Sequence, residues 1–186
     1  LENFISGNCV KVKNFFCEEY TKDPDSLEAI FILGRVAIPY SGNIAIDGHQ
    51  PDHLGAWPSD CYYGDIDGEW TDTSLVATTA ATARQHNLIG DGKFDQSYIP
   101  SDIDMQVGRV DFSNLLVYPQ SEIELLRNYI RKNNDYRHSI RKYSNNSLID
   151  DRFQMQTKDG FGSSPWMNFS AIVGRTNIDT GAIREI

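Results

Sequence analysis

The sequence predicts an α/β protein: a layered sheet with flanking helices, interrupted by a long acidic loop insert. Three observations carry this. Glu28–Gly34 (EAIFILG) and Met105–Val110 (MQVGRV) are short apolar runs of the kind that form buried strands. Helical patterns flank them, at Asn8–Tyr20 and from Ser121 onward. The stretch between the strands, Ile44 to Gln106, is rich in Gly, Pro and Asp and holds no sustained period. A strand, a long insert, a second strand and a helix, in that order, read as a layered α/β unit.

Each element has a local reason. In Asn8–Tyr20, Cys9, Val12, Phe16 and Tyr20 fall near one helical face, and Asp23-Pro24-Asp25 breaks the pattern. Pro39 and Gly42 close the first strand. Thr78–His86 (TTAATARQH) is read as a short helix. Ser121-Glu122-Ile123-Glu124 is a capping box opening a helix to about Asn133, with Ile123, Leu126 and Ile130 at helical spacing. After Arg137 the chain turns irregular and polar, with Ser147–Phe153 and Asp159–Val173 reading as the start of another substructure. The division expected is an α/β subdomain over 1–140, carrying the insert over 44–106, and an irregular segment over 141–186 leading into a second subdomain.

Composition narrows function. The 186 residues include 26 acidic and 17 basic side chains, a formal charge of −9, which argues against a nucleic-acid binder. The longest apolar runs, such as Ala29–Leu33, are too short to span a bilayer. Three scattered cysteines with no CxxC do not make a disulfide scaffold. The charge is also confined. Ile44–Gln106 holds eleven carboxylates against Arg84 and Lys93, and the rest of the chain is balanced. Like charges held close repel unless something neutralises them, so this segment is either a solvated loop or a cation-binding one.

Its motifs are candidates for that cation. In Tyr62-Tyr63-Gly64-Asp65-Ile66-Asp67-Gly68-Glu69-Trp70, alternating carboxylates around a Gly turn can aim several oxygens at one point, as calcium requires. The spacing is not an EF-hand loop, which needs Gly sixth; counted from Asp65, Trp70 stands there. In Asn87–Tyr98, Asp91, Gly92 and Asp95 fall at the fifth, sixth and ninth positions of such a loop, while Ile89 and Tyr98 occupy ligand positions. Asp65, Asp67, Asp91 and Asp95 are therefore the predicted calcium ligands, sharing one ion between two loops. Asp47, His49, Asp52 and His53 form a set that zinc or another transition metal uses, against the plainer reading of a polar loop. Cys61 follows His53 by eight residues, but its neighbour Asp60 would raise a thiol pKa, the wrong direction for a nucleophile. Gly34-Arg35 and Gly108-Arg109 close the two strands alike, and both arginines are read as structural partners of acidic loop residues. Neither a Gly-x-Ser-x-Gly, a P-loop nor a GxGxxG is present.

The order FILGRVAIPY, PSDCYYGDIDGEW, GDGKFD, SDIDMQVGRVDFSN and SEIELLRNYI resembles the gingipain-type cysteine peptidase family, over roughly Asn8 to Arg137. The resemblance implies a caspase-like, Rossmann-like layered sheet in two subdomains and secretion to the bacterial surface or beyond. It implies peptide-bond cleavage by a Cys–His dyad whose His follows one strand and whose Cys follows the next, both after the region matched. His49 and Cys61 do not sit at those positions, so no catalytic residue is assigned. Members of the family can bind calcium, which agrees with the acidic loops. The expectation is the N-terminal portion of a secreted peptidase, inactive alone, partnered by the remainder of its polypeptide and by a protein or peptide substrate. Two other readings stay open. One is a non-catalytic secreted binding module in which Trp57, Tyr62, Tyr63 and Trp70 hold a glycan or peptide. The other is a self-contained hydrolase using His49, His53 and Cys61.

Overall fold

The computed structural model describes residues 8–46, 48–74, 77–141, 147–148, 168–172 and 174–179. The first helix, α1 (Cys9–Lys22), is capped by Asn8, whose side-chain oxygen accepts from the Lys11 N–H at 3.0 Å. It ends where the Asp23 N–H turns back onto the Tyr20 carbonyl and Pro24 forbids another turn. Val12 is fully buried, and the Phe16 ring meets Tyr63 edge-on with centroids 5.5 Å apart.

Strands β1 (Ala29–Leu33) and β4 (Gln106–Val110) pair in parallel, with Ala29 opposite Gln106 and Leu33 opposite Val110. Both strands expected from sequence are present. Yet β1 is half-buried and not the fully buried strand expected. Ile30 and Ile32 enter the core, while Phe31 and Leu33 are 54% and 41% exposed. An apolar run with no polar residue in it hides the alternation that the pleat imposes.

The insert is more ordered than its composition implies. β2 (Tyr40–Ile44), which leads into it, and β3 (Gly55–Pro58), inside it, pair antiparallel, with a register shift between Ser41 and Ile44, and Ser41 also bridges Phe94 within the insert. Gly42 sits at that shift with φ +82, and a Cβ there would crowd Ser97 and the Gln96 carbonyl, so only glycine fits. These strands escaped the sequence reading because YSGNI and GAWP carry Gly, Pro and Asn where strands usually carry β-branched residues. The helix expected at Thr78–His86 is reduced to one 3-10 turn, Ala83–Gln85. One turn of helix, α2 (Cys61–Gly64), follows β3.

The core gathers Val12, Ile30, Ile32, Tyr62, Tyr63, Phe94 and Met105, with Trp70 packed against it. Tyr62 stacks on Phe94 at 4.2 Å between centroids, and Trp70 meets both edge-on. Arg109 ties the β4 end of this core to the insert. It grips both carboxylate oxygens of Asp60, at 2.7 and 2.8 Å, and donates to the Val36 and Ala37 carbonyls. This is the structural pairing expected of it. Arg35 instead reaches Glu122, at 3.3 Å, on the exposed start of α3 (Glu122–Arg137). The capping box is formed: the Ser121 N–H donates to Glu124 Oε2 at 2.8 Å, and Ser121 Oγ accepts from the Glu124 N–H.

The chain divides into two units, Leu1–Asn128 and Tyr129–Ile186, so that the division falls inside α3. In the second unit, β5 (Ser147–Leu148) pairs in parallel with β6 (Ile178–Asp179). The remaining sequence expectations for 149–167 lie outside the described residues. No helix among the described residues is long and apolar enough to cross a membrane.

One buried cation stands out. Lys13, only 7% exposed on α1, donates to the Tyr62 carbonyl at 2.6 Å and to the Asp65 carbonyl, and its ammonium lies 5.1 Å from the centre of the Tyr62 ring. Burial pushes its pKa down, against the pull of nearby groups including Asp65, Asp104 and Asp67. Lys13→Ala leaves two carbonyls without their donor and is expected to cost about 2–4 kcal/mol of stability, measured by urea unfolding.

Candidate metal centre and aromatic pocket

The centre is built from the turn after α2. Asp65 is fully buried. Its N–H closes the helical turn onto Cys61, at 3.0 Å. One side-chain oxygen, Oδ1, accepts from the Gly68 N–H at 2.9 Å and from Ser101 Oγ. The other, Oδ2, accepts from the Trp70 indole N–H at 3.0 Å. Gly68 must be glycine because a Cβ there would collide with the Asp65 carboxylate.

Gly64, beside it, is the second obligatory glycine: a Cβ would strike the Met105 carbonyl. That close approach lets the Gly64 carbonyl accept from the Asp104 and Met105 N–H groups, both at 3.0 Å. Asp104 is thereby set against the turn, and its Oδ2 accepts from the Ile66 N–H at 2.7 Å. One oxygen each from Asp65, Asp67 and Asp104 comes within 4.8 Å of the others. Asp67 and Asp104 are exposed, so the cluster opens to solvent.

The chemistry of this donor set fits a hard cation. Two oxygens on opposite sides of a calcium ion lie about 4.6–5.2 Å apart, twice its usual bond length. Ser101 Oγ lies in hydrogen-bond reach of Oδ1 of both Asp65 and Asp67. A hydroxyl has one proton, so it satisfies one carboxylate at a time.

Of the four predicted ligands, Asp65 and Asp67 meet; Asp91 and Asp95 are engaged elsewhere. Asp91 accepts from the Leu88 and Lys93 N–H groups and from the Lys93 ammonium at 2.6 Å. Asp95 Oδ2 accepts from Thr71 Oγ1 and from the Thr73 and Ser74 N–H groups. The carboxylate grouped with Asp65 and Asp67 is Asp104, and neither Asp91 nor Asp95 belongs to that cluster. Sequence reasoning missed Asp104 because it lies at the foot of β4, far along the chain from Asp65. The available signal was its place just before the strand that the Asp65 loop had to meet.

The aromatic set also divides. Tyr62 and Tyr63 are 5% and 0% exposed and belong to the core, which corrects their reading as ligand contacts. Burial drives the Tyr62 hydroxyl up to about 12 and Tyr63 higher still, and the latter donates to the Ala37 carbonyl at 2.7 Å. Trp57 and Trp70 do share an open space, a cavity of about 220 Å³ walled also by Tyr98, Ile46, Ile99 and Cys61. The Cys61 sulfur lies 2.9 Å from Ser59 Oγ. His53 packs edge-on between His49 and Trp57, and the only carboxylate, thiol or imidazole cluster of metal-binding geometry among the described residues is that of Asp65, Asp67 and Asp104. No family profile, curated relative or solved structure matches the chain.

This geometry makes two predictions. Gly68→Ala, which must push the Asp65 carboxylate aside, is expected to lower stability by about 1–3 kcal/mol in urea unfolding. Acid will act through the second loop. Burial would raise the Asp91 and Asp95 carboxyls, but Lys93 on the first, and Thr73, Thr71 and Ser74 on the second, hold both below the ordinary 3.8. A carboxyl lowered in the folded state contributes stability above 3.8 that is lost as pH falls through its folded value. Urea unfolding across this acid range should therefore show a smaller pH-dependent loss for Asp95→Asn than for the parent.

Proposed function

We propose that this chain is the N-terminal portion of a secreted, gingipain-like cysteine peptidase of bacterial origin, and that calcium at Asp65, Asp67 and Asp104 fixes its acidic loops. Support for the family reading is the order of sequence segments, together with a parallel strand pair preceded and followed by a helix. The observation that carries the calcium reading is the convergence of three carboxylates, two of which share a serine hydroxyl with one proton to give. Calcium would take an oxygen from each aspartate and fill its shell with Ser101, backbone carbonyls or water. It would cancel repulsion between the α2 turn and the foot of β4, so its role here is structural. Catalysis is assigned to the remainder of the polypeptide, acting on a protein or peptide substrate, and this chain alone is expected to hydrolyse none. A second reading, a non-catalytic binding module, is favoured by one feature, the cavity between Trp57 and Trp70.

The calcium reading has a signed test. Chelation should lower the melting temperature and added calcium restore it. Asp67→Asn removes a ligand charge on an exposed residue. In chelator it should melt at or above the parent, because repulsion is relieved, and in calcium it should melt below it. A parent melt that ignores both calcium and chelator contradicts the reading.

A further inference from the structure

On the binding-module reading, the cavity beside β3 has a composition that selects among ligands. The ligand proposed for it rests on that reading and not on the calcium centre. Its wall offers three aromatic side chains, Trp57, Trp70 and Tyr98, and no charged group. Every lining residue lies between Ser41 and Ile99, nearly all of them inside the segment that carries the whole net charge of the protein. Aromatic faces in a negative surrounding attract cations.

The hydrogen-bonding inventory then separates kinds of cation. The Trp57 N–H is taken by the Ile44 and His53 carbonyls, and the Trp70 N–H by Asp65. Two of the side-chain acceptors on the wall are also engaged: Gln96 Oε1 receives the Thr71 N–H and Ser97 Oγ the Asn43 N–H. A primary ammonium or guanidinium brings several N–H groups that must find acceptors when they leave water. A quaternary ammonium brings none, and needs only aromatic and apolar contact. At about 220 Å³, the space suits one such head group rather than a drug-sized ligand.

We propose that this cavity is a binding site for a quaternary ammonium group, the small organic cation being held by Trp57, Trp70 and Tyr98. The test compares choline with its uncharged isostere, 3,3-dimethylbutan-1-ol, on the whole chain in calcium-containing buffer of low ionic strength. Binding is read by calorimetry and indole fluorescence. Choline should bind at least about tenfold more tightly than the neutral alcohol, the factor a partly desolvated cation–π contact supplies. Tyr98 is 72% exposed, so Tyr98→Ala should keep the parent's melting temperature and shrink that preference severalfold. Equal affinities for the two probes would overturn the proposal while leaving the cavity as an apolar binding site. Binding of neither probe, with the fold intact by its melt, would overturn both the proposal and the binding reading.

Discussion

A buried ammonium determines how the first unit is put together. Lys13 projects from α1 and donates to the carbonyls of Tyr62 and Asp65, two of the carbonyls at the end of a one-turn helix that have no partner within it. With those satisfied, the chain can turn sharply after Gly64 inside the core. Tyr62 and Tyr63 are thereby driven inward against Phe94, Phe16 and Trp70. The Asp65 carboxylate is turned toward Gly68, Trp70 and Ser101. A lysine in this place costs desolvation, which lowers its pKa, and that cost is offset by the two hydrogen bonds with which it closes the turn.

The same turn sets the charge problem of the molecule. Gly64 brings the foot of β4 into backbone contact, and that contact carries Asp104 to Asp65 and Asp67. Lys13 helps to balance these carboxylates, but its protons go to carbonyls. Ser101 supplies one proton between two carboxylate oxygens. The second acidic loop is balanced differently, by backbone N–H groups and Lys93. Two loops of similar composition thus have different electrostatic characters. One is largely held by donors of its own chain, and the other presents the Asp67 and Asp104 carboxylates to solvent.

Much of the framework was legible in the sequence. Helix α1, strands β1 and β4 and the capping box of α3 each rest on local signals: apolar spacing, a short Ile-rich run, and Ser three residues before Glu. What was not legible depends on contacts between distant segments. β2 and β3 are held by pairing and not by propensity, so YSGNI and GAWP gave no sign of them. The pairing of Asp65 and Asp67 followed from their spacing around Gly68. Asp104 joined only through the approach at Gly64, and Asp91 was drawn away by Lys93, a neighbour that a ligand count does not weigh. Tyr62 and Tyr63 were placed beside the acidic residues as surface aromatics because their burial depends on α1, some fifty residues earlier.

Terbium luminescence tests the central claim most directly. Terbium takes calcium-type oxygen sites, and the Trp70 indole is bonded to Asp65 at the edge of the centre, so excitation of the indole should sensitise a metal bound there. The account predicts sensitised emission from the whole chain that calcium competes away, that Asp67→Asn or Asp104→Asn abolishes, and that Asp91→Asn leaves intact. Absence of sensitised emission, or its loss in Asp91→Asn with retention in Asp104→Asn, would contradict it.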